Sequence, residues 1–359
     1  MTVPPRSRTV YNVAVEARGG ARVWAFACGI ALALVLGSVA GAQGATGGDI
    51  EPAWSPNGKQ IAFARFVGAN LELYVMNSGG GGIRAITHGS PNHVDPAWSP
   101  DGKTILFSRL VRAHGQLLGG QVYVTGPTGA SQRRLTTGAG GYDEVFGWSP
   151  DGKQVAFERI LGGVGSVWVM NANGAGQKRL TAGTNFDDYL AAWSPDSKKL
   201  AFVRTAANAF GDIYVMNADG TSVHALVKSS ADDTSPVWSP NGKKLAFMSD
   251  RTAHYEIYTV NATGGGRKQI THTDAGAHDP TWSPDGTKIA FATFIAGQWQ
   301  IDVVNSGGGA VHQLTNSSGD NTNPAWSPDS KKIAFESTRE NESAIFVMGA
   351  DGSAQHRVS

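Results

Sequence analysis

Acidic residues gather just ahead of a tryptophan that recurs along the chain, and they are the side chains best placed to do chemistry. Eleven of them stand within six positions of such a tryptophan: Asp49, Glu51, Asp95, Asp143, Glu144, Asp187, Asp188, Asp232, Asp233, Asp279 and Asp320. Arginines follow the same tryptophans by 11 to 13 positions: Arg65, Arg109, Arg159, Arg204, Arg251 and Arg339. Grouped carboxylates attract a cationic group or a peptide segment. Carboxylates beside arginines instead form ion pairs that hold neighbouring repeats in register. The sequence leaves both interpretations open.

Histidines offer a second chemistry, because imidazole and carboxylate groups are common metal ligands. Six of them fall in predicted loops on the same side as the acids: His88, His93, His114, His254, His272 and His278. His93 and His278 are the candidate metal ligands, but they belong to the second and sixth repeats, and no two histidines have a local chelating spacing. We therefore expect no metal and no cofactor, with a metal site at His93 and His278 as the alternative.

Other familiar chemistry is missing from the sequence. There is no Gly-x-Ser-x-Gly elbow, no phosphate-binding loop and no dinucleotide fingerprint. The net charge of the 359-residue chain is only +1, which gives no overall basic field for nucleic acid. We expect a chain without catalytic residues that does not bind nucleic acid.

The elements that position the acids come from a repeat of about 45 residues, a period typical of propellers. The repeated tryptophans are Trp54, Trp98, Trp148, Trp193, Trp238, Trp282 and Trp326. Each is followed by Ser-Pro and Asp or Asn, usually with Gly, which predicts a tight turn. A large-small-large strand such as Ile61-Ala-Phe63 comes next, then two further strands. This pattern predicts an all-β, seven-bladed propeller of four-stranded antiparallel blades.

The motif P-x-W-S-P-D-G-K-x-I-A-F, followed by I-Y-V-M-N and R-x-L-T, resembles the TolB-like, WD-repeat-like β-propeller family over about residues 49–359. Members of that family have six blades behind an α/β domain, so we expect a relative of TolB rather than TolB itself. The resemblance implies that the first strand of each blade is innermost. The acids would then border the mouth of a central channel. We also expect the residues ahead of proline, such as Asp95 and Asp279, to be extended.

The first 42 residues have the features of an export signal. Arg6, Arg8, Arg18 and Arg22 precede an uncharged, mostly apolar run over 23–40, and Ala40-Gly41-Ala42 suits signal peptidase. We expect a signal peptide over 1–42, with an uncleaved anchor as the alternative, and the propeller over 43–359. Cys28 is the only cysteine, so no disulfide is expected.

These features together predict an extracytoplasmic, monomeric binding module, located in the periplasm, the cell envelope or outside the cell. It would bind a protein or peptide of the cell envelope through the acidic, arginine-fringed rim, and would meet a membrane only through an uncleaved N-terminal anchor. The alternative is an extracytoplasmic, metal-assisted polysaccharide lyase or hydrolase. Relatives of the repeat that degrade pectate fragments motivate that alternative.

Overall fold

The computed structural model describes residues 48–89, 92–113, 116–136, 141–183, 185–206 and 209–359. These residues form 28 β-strands, and no helix long and apolar enough to cross a bilayer occurs among them. The predicted signal segment over 1–42 lies outside the described residues. The all-β propeller prediction is confirmed by the architecture that follows.

Each repeat forms one four-stranded unit, here called a blade and numbered in chain order. Blade 1 comprises β1 (Asp49–Trp54), β2 (Gln60–Val67), β3 (Asn70–Asn77) and β4 (Arg84–Ala85). Blade 2 comprises β5 (Asn92–Trp98), β6 (Ile105–Ala113), β7 (Gln116–Thr125) and β8 (Arg133–Arg134). Blade 3 comprises β9 (Tyr142–Trp148), β10 (Gln154–Leu161), β11 (Val164–Asn171) and β12 (Lys178–Arg179). Blade 4 comprises β13 (Phe186–Trp193), β14 (Lys199–Ala206), β15 (Gly211–Asn217) and β16 (His224–Val227).

The remaining blades repeat the arrangement. Blade 5 comprises β17 (Asp233–Trp238), β18 (Lys244–Ser249), β19 (Glu256–Asn261) and β20 (Lys268–Gln269). Blade 6 comprises β21 (Ala277–Trp282), β22 (Lys288–Ile295), β23 (Gln298–Asn305) and β24 (His312–Gln313). Blade 7 comprises β25 (Asn321–Trp326), β26 (Lys332–Ser337), β27 (Ala344–Gly349) and β28 (His356–Arg357). Strands pair antiparallel in sequence order within each blade, and a short parallel contact of Gly120 with Tyr142 joins blades 2 and 3.

The turn after each tryptophan is fixed by local chemistry, as blade 2 shows. The Asp101 carboxylate accepts hydrogen bonds from the Ser99 hydroxyl at 2.6 Å and from the Lys103 backbone at 3.1 Å. Gly102 has a φ of +69°, which glycine adopts without the penalty that a β-carbon brings. This turn places the first and second strands side by side in register.

The first strands form the inner ring of the propeller. Each contacts the first strand of the next blade, and β25 of blade 7 contacts β1 of blade 1. The ends of the array meet without sharing a strand among the described residues, because β1 and β25 belong to separate sheets. The Asp49 backbone donates to Ser343 O at 2.8 Å, and the Ser343 hydroxyl donates to Asp49 O at 2.9 Å. Packing of blade 7 against blade 1 therefore closes the ring.

The core lies between blades, where the second-strand phenylalanines are fully buried. They are Phe63, Phe107, Phe157, Phe202, Phe247, Phe291 and Phe335. The repeated tryptophans add a polar link, since six of the seven indole N–H groups donate to a carbonyl of the preceding blade. An example is Trp98 Nε1 to Ala53 O at 3.1 Å. The residues that recur in the sequence are thus the ones that join each blade to its neighbour.

Candidate functional site

The acids predicted at the channel mouth separate into three groups, and the first consists of Arg–Asp pairs. Four pairs occupy equivalent places five residues before the tryptophan: Arg65–Asp49, Arg159–Asp143, Arg204–Asp188 and Arg251–Asp233. Arg159 shows the geometry, with Nε 2.6 Å from Asp143 Oδ1 and Nη2 2.9 Å from Oδ2. Its guanidinium lies over the Trp168 ring, 4.6 Å from the centroid. Each pair is shielded by aromatic rings and largely removed from water.

These pairs join the first and second strands of one blade, whereas we expected arginines to link neighbouring blades. The reason is register, because Asp143 lies directly opposite Arg159 in the β9–β10 ladder. Arg109 has no carboxylate partner among the described residues; it donates to the Tyr123 hydroxyl at 3.1 Å, and His93 occupies the place opposite it. In blade 7 an asparagine replaces the acid, and Arg339 donates to it. Three of the four arginines predicted as binding residues, Arg65, Arg159 and Arg204, are therefore held in ion pairs within their own blades.

A second group of acids, six residues before the tryptophan, connects adjacent blades. Asp187 Oδ1 accepts from the Gly165 backbone of blade 3 at 2.6 Å, and Asp232 Oδ1 accepts from Gly211 of blade 4 at 2.7 Å. Asp320 Oδ1 accepts from Trp299 of blade 6 at 2.8 Å. Each of these carboxylates accepts a hydrogen bond from a backbone N–H at the start of the third strand of the preceding blade. They act as inter-blade links rather than as a ligand site.

The third group, which we call the inner acidic cluster, comes from the inner ring of first strands together with Glu336 of the second strand of blade 7, β26. It consists of Glu51, Asp95, Glu144, Asp279 and Glu336. Glu51, Asp95 and Asp279 precede proline and have φ values of +59°, +56° and +54°, so the prediction of extended backbone there is wrong. Each sits in a β-bulge, where the register with the second strand shifts. The equivalent residues of blades 4, 5 and 7, Leu190, Ser235 and Asn323, have the same positive φ, so the bulge is a feature of the blade that sets the direction of whichever side chain it carries.

Hydrogen bonds from backbone N–H groups link the carboxylates of the inner acidic cluster across neighbouring blades. Glu336 Oε1 of blade 7 accepts from the Glu51 backbone at 2.7 Å, and Glu51 Oε2 accepts from the Asp95 backbone at 2.8 Å. Glu144 of blade 3 accepts from the Tyr142 hydroxyl at 2.8 Å. The second oxygen of Glu51, Oε1, is buried and has no hydrogen-bond partner among the described residues. No arginine or lysine pairs with these five carboxylates among the described residues.

Burial raises the pKa values of these acids, and neighbouring carboxylates raise some of them further. Burial, together with Glu336 and Glu144, raises the pKa of Glu51 to about 8. Burial raises the pKa of Glu336 to about 7 and that of Asp279 to about 6. The pKa of Asp95 is well above its usual range for the same reason, with Glu51 and Glu144 adding repulsion. A cation delivered to this cluster would relieve both the repulsion and the burial of unpaired charge.

Sequence reasoning missed Glu336 and its equivalent in blade 3, Glu158. Both follow the buried phenylalanine of the second strand, where other blades have alanine, serine, valine or methionine. Glu158 lies opposite Glu144, and burial with that neighbour raises the pKa of Glu158 well above its usual range. The signal was an acid inside an otherwise apolar strand, which is uncommon unless the carboxylate has a partner or a role.

The two candidate metal-ligating histidines lie in first strands, not in loops, and are held apart in blades 2 and 6. His93 is buried, with Nδ1 3.1 Å from Glu72 Oε2 and its ring edge-on to Phe107. His278 packs edge-on against Tyr255 and Trp299, and burial lowers its pKa to about 4. Within the described ranges, no group of three or more His, Cys, Asp or Glu side chains has metal-binding geometry.

Comparisons with known proteins agree with this architecture. A TolB protein of Acinetobacter baumannii is 16% identical, with a TM-score of 0.55 over 88% of this chain and 85% of that one. An oligogalacturonate lyase of Vibrio parahaemolyticus is 15% identical, with a TM-score of 0.68 over 83% and 88%. The β-propeller domain of the trilobed protease of Pyrococcus furiosus, described as having an open velcro topology, is 14% identical. Its TM-score is 0.67, over 88% of this chain and 96% of that domain.

At these identities the solved structures establish the fold alone, and no curated protein sequence matches the chain. The family assignment comes from the repeats themselves. The family model described as the TolB beta propeller domain matches residues 36–188, 188–278 and 267–359. The chain belongs to the TolB beta-propeller family.

Proposed function

We propose that this protein is an exported, non-catalytic binding module that captures a cationic segment of a protein or peptide partner in the cell envelope. The inner acidic cluster is the binding site. The observation that supports this is the contrast among the acids, since the four Asp–Arg pairs are neutralised within the scaffold. The inner acidic cluster, by contrast, has no paired cation among the described residues.

An arginine or lysine side chain, or a free amino terminus, fits the chemistry of the cluster. Glu51 offers an oxygen with no partner among the described residues, and Asp95 of blade 2 and Glu336 of blade 7 flank it. A ligand cation would favour the ionised carboxylates, so binding would release protons from groups with raised pKa. Capture should therefore tighten as the pH rises from 6 to 8.

The test uses a fluorescein-labelled tetra-arginine peptide as the probe and fluorescence polarisation as the readout. The Asp95→Asn, Asp279→Asn double variant should bind at least tenfold more weakly than the wild type at pH 7.5. The control variant Glu340→Gln, Glu342→Gln changes the net charge equally at exposed acids outside the cluster. Equal binding by the wild type and the Asp95, Asp279 variant would refute the site.

The second candidate function is a metal-assisted polysaccharide lyase or hydrolase. It is favoured by the shared fold with the oligogalacturonate lyase, a similar structure of which is described in complex with manganese. His278 with Asp279 is the pair on this chain that such chemistry would use. Incubation with oligogalacturonate and Mn²⁺, followed at 232 nm for unsaturated products, distinguishes the two functions. Turnover that is lost in His278→Ala would replace the binding-module proposal with the enzyme.

A further inference from the structure

The turns that follow the tryptophans form a continuous ring at the opposite side of the propeller, which we call the turn rim. Neighbouring turns touch directly: the Asp151 backbone donates to Ser197 Oγ of the next blade at 3.0 Å. Asp285 and Ser330 make the same contact between blades 6 and 7 at 3.0 Å. A β-carbon built on Gly102 would lie 3.7 Å from Pro56 of the preceding blade. The residues of these turns therefore share one surface.

Lysine is the side chain that the turn rim displays most often. Six blades place an exposed lysine directly after the turn: Lys59, Lys103, Lys153, Lys198, Lys243 and Lys331. The side chains of Lys103 and Lys153 are 82% and 80% exposed, so their ammonium groups are almost fully in water. The backbone at this position is fixed, since Lys153 O accepts from Ala172 and Lys243 O accepts from Ala262. A second lysine follows in three blades, at Lys199, Lys244 and Lys332, and blade 6 has its single lysine at the same position, Lys288.

The acids of the turn rim do not cancel this charge. Ten lysines stand against five aspartates: Asp101, Asp151, Asp196, Asp285 and Asp329. Those carboxylates are engaged by their own turns; Asp196 Oδ1, for example, accepts from Ser194 Oγ at 2.6 Å and from the Lys198 backbone at 3.1 Å. The one ion pair in the blade 2 turn, Lys103–Asp101, is 3.7 Å long and exposed, and contributes little. The turn rim is therefore a positively charged surface.

Of the eight exposed large hydrophobic side chains among the described residues, three lie on the same side of the molecule as the turn rim and five toward the opposite side. Ile83, Val223 and Val311 each stand one residue before a fourth strand, at equivalent places in blades 1, 4 and 6. They are 39%, 38% and 36% exposed, which is high for residues of this type. Basic residues combined with exposed aliphatic residues suit the interface of an anionic bilayer, where the lysines meet headgroups and the aliphatic groups enter the acyl boundary. A soluble polyanion would use only the lysines.

We propose that the turn rim docks on a bilayer that contains anionic lipids, which leaves the opposite, acidic side of the propeller facing away from the membrane. This membrane contact would be additional to the contact through an uncleaved N-terminal anchor that the sequence analysis considers. It is also independent of the proposed function, because no residue of the inner acidic cluster takes part in it. Attraction of this kind is additive over lysines and weakens as salt rises.

The test is co-sedimentation of the purified full chain with vesicles of phosphatidylglycerol and phosphatidylcholine, compared with phosphatidylcholine alone. The Lys59→Gln, Lys103→Gln, Lys153→Gln, Lys243→Gln variant should lose at least tenfold in partition onto the anionic vesicles. A matched control, Arg6→Gln, Arg8→Gln, Arg18→Gln, Arg22→Gln, changes the net charge equally and reports the contribution of the N-terminal segment. The four lysine changes, made in the chain that carries the four arginine changes, should cause the same loss of vesicle binding. That loss should again become smaller as salt rises.

A second variant separates a bilayer from a soluble polyanion. Ile83→Ser, Val223→Ser, Val311→Ser should weaken partition onto anionic vesicles severalfold while leaving binding to soluble polygalacturonate unchanged. The proposal is overturned by equal vesicle binding of the lysine variant and the wild type. It is also overturned if the lysines matter for polygalacturonate and not for vesicles. Because all seven positions are exposed, unchanged melting temperatures are expected and would exclude unfolding as the cause.

Discussion

Two aspartates in adjacent blades, Asp143 and Asp95, precede their tryptophans by five and three residues and have opposite roles. Asp143 is almost fully buried and makes two hydrogen bonds with Arg159. Asp95 lies in a bulge with a positive φ, faces like charges and has a raised pKa. One carboxylate stabilises the fold because its cation is present. The other has no paired cation among the described residues, and its bulge conformation recurs at the equivalent Leu190, Ser235 and Asn323 of other blades.

This contrast gives a prediction for two isosteric changes. Asp143→Asn removes one partner of a buried pair and should lower the free energy of unfolding by about 3 kcal/mol. Asp95→Asn should leave stability unchanged or slightly higher, because asparagine tolerates positive φ and carries no charge to desolvate. Urea denaturation of both variants measures the difference. Equal losses would mean that Asp95, too, serves the scaffold.

The inner acidic cluster also predicts how stability depends on pH. Glu51, Glu336 and Asp279 have folded pKa values of about 8, 7 and 6, all above the values of about 4 expected in the unfolded chain. The folded state therefore binds more protons, and these groups weaken it progressively as the pH rises from about 4 to 8. We expect a higher melting temperature at pH 5.5 than at pH 8.

The matched variant for this effect is Glu51→Gln, which removes the group with the highest of the three pKa values. The fall in melting temperature between pH 5.5 and pH 8 should become smaller in the variant than in the wild type. Differential scanning calorimetry at several pH values provides the comparison. A pH profile identical to that of the wild type would show that Glu51 ionises normally in the folded protein.

At the scale of the elements, the tryptophans reveal one blade interface that differs from the others. Trp238 Nε1 of blade 5 donates to Ala192 O of blade 4 at 3.1 Å. Trp193 Nε1 of blade 4 is buried without a hydrogen-bond partner among the described residues. Its counterpart carbonyl would come from Gly147 of blade 3, which has a φ of +137° and lies beside a displaced bulge. The irregular first strand of blade 3 thus leaves one indole unsatisfied.

Phenylalanine substitutions test this difference. Trp238→Phe leaves Ala192 O without its donor and should cost about 1 kcal/mol more than Trp193→Phe, which removes an N–H that already lacks an acceptor. Both changes remove a similar volume from an interface between blades, so the packing losses should largely cancel in the comparison. Chemical denaturation of the two variants supplies the values. A larger loss for Trp193→Phe would contradict the assignment.

The sequence predicts the elements well because their determinants are local. A tryptophan, a Ser-Pro turn and a large-small-large strand recur in each repeat, and Phe157 and its equivalents are buried as that alternation implies. The prediction that Asp49 and Arg65 lie on the same rim is also met, because β1 and β2 pair antiparallel and place the two residues opposite each other. The spacing from the tryptophan could not separate the inner acidic cluster from the other acids nearby. A bulge changes the face of the strand on which a side chain lies, and the sequence does not show the bulge. Glu336 reaches the cluster from another strand altogether.

At the scale of the whole molecule, the ring is closed by contacts between its ends, and no strand is exchanged among the described residues. Asp49 and Ser343 exchange two hydrogen bonds, and Ile61 and Phe63 of blade 1 pack in one core cluster with Ile345 and Val347 of blade 7. Such a closure depends on side-chain packing and a few hydrogen bonds, without a strand shared between the two blades. The ends of the array should therefore be the place where opening of the ring begins.

A disulfide across that closure tests the idea. A β-carbon built on Gly48 would lie 3.4 Å from the β-carbon of Ser343, close to the span of about 3.5–4.5 Å found in disulfides. Gly48→Cys with Ser343→Cys, in a Cys28→Ser background, should form the bond without moving the backbone. Because it joins residues almost 300 positions apart, the chain-entropy argument predicts stabilisation of about 6 kcal/mol, of which engineered disulfides often deliver less. Thermal unfolding of the oxidised and reduced forms of the same variant isolates the effect of the bond. Once mass spectrometry has confirmed the bond, equal melting temperatures of the two forms would show that the ring does not open between blades 7 and 1.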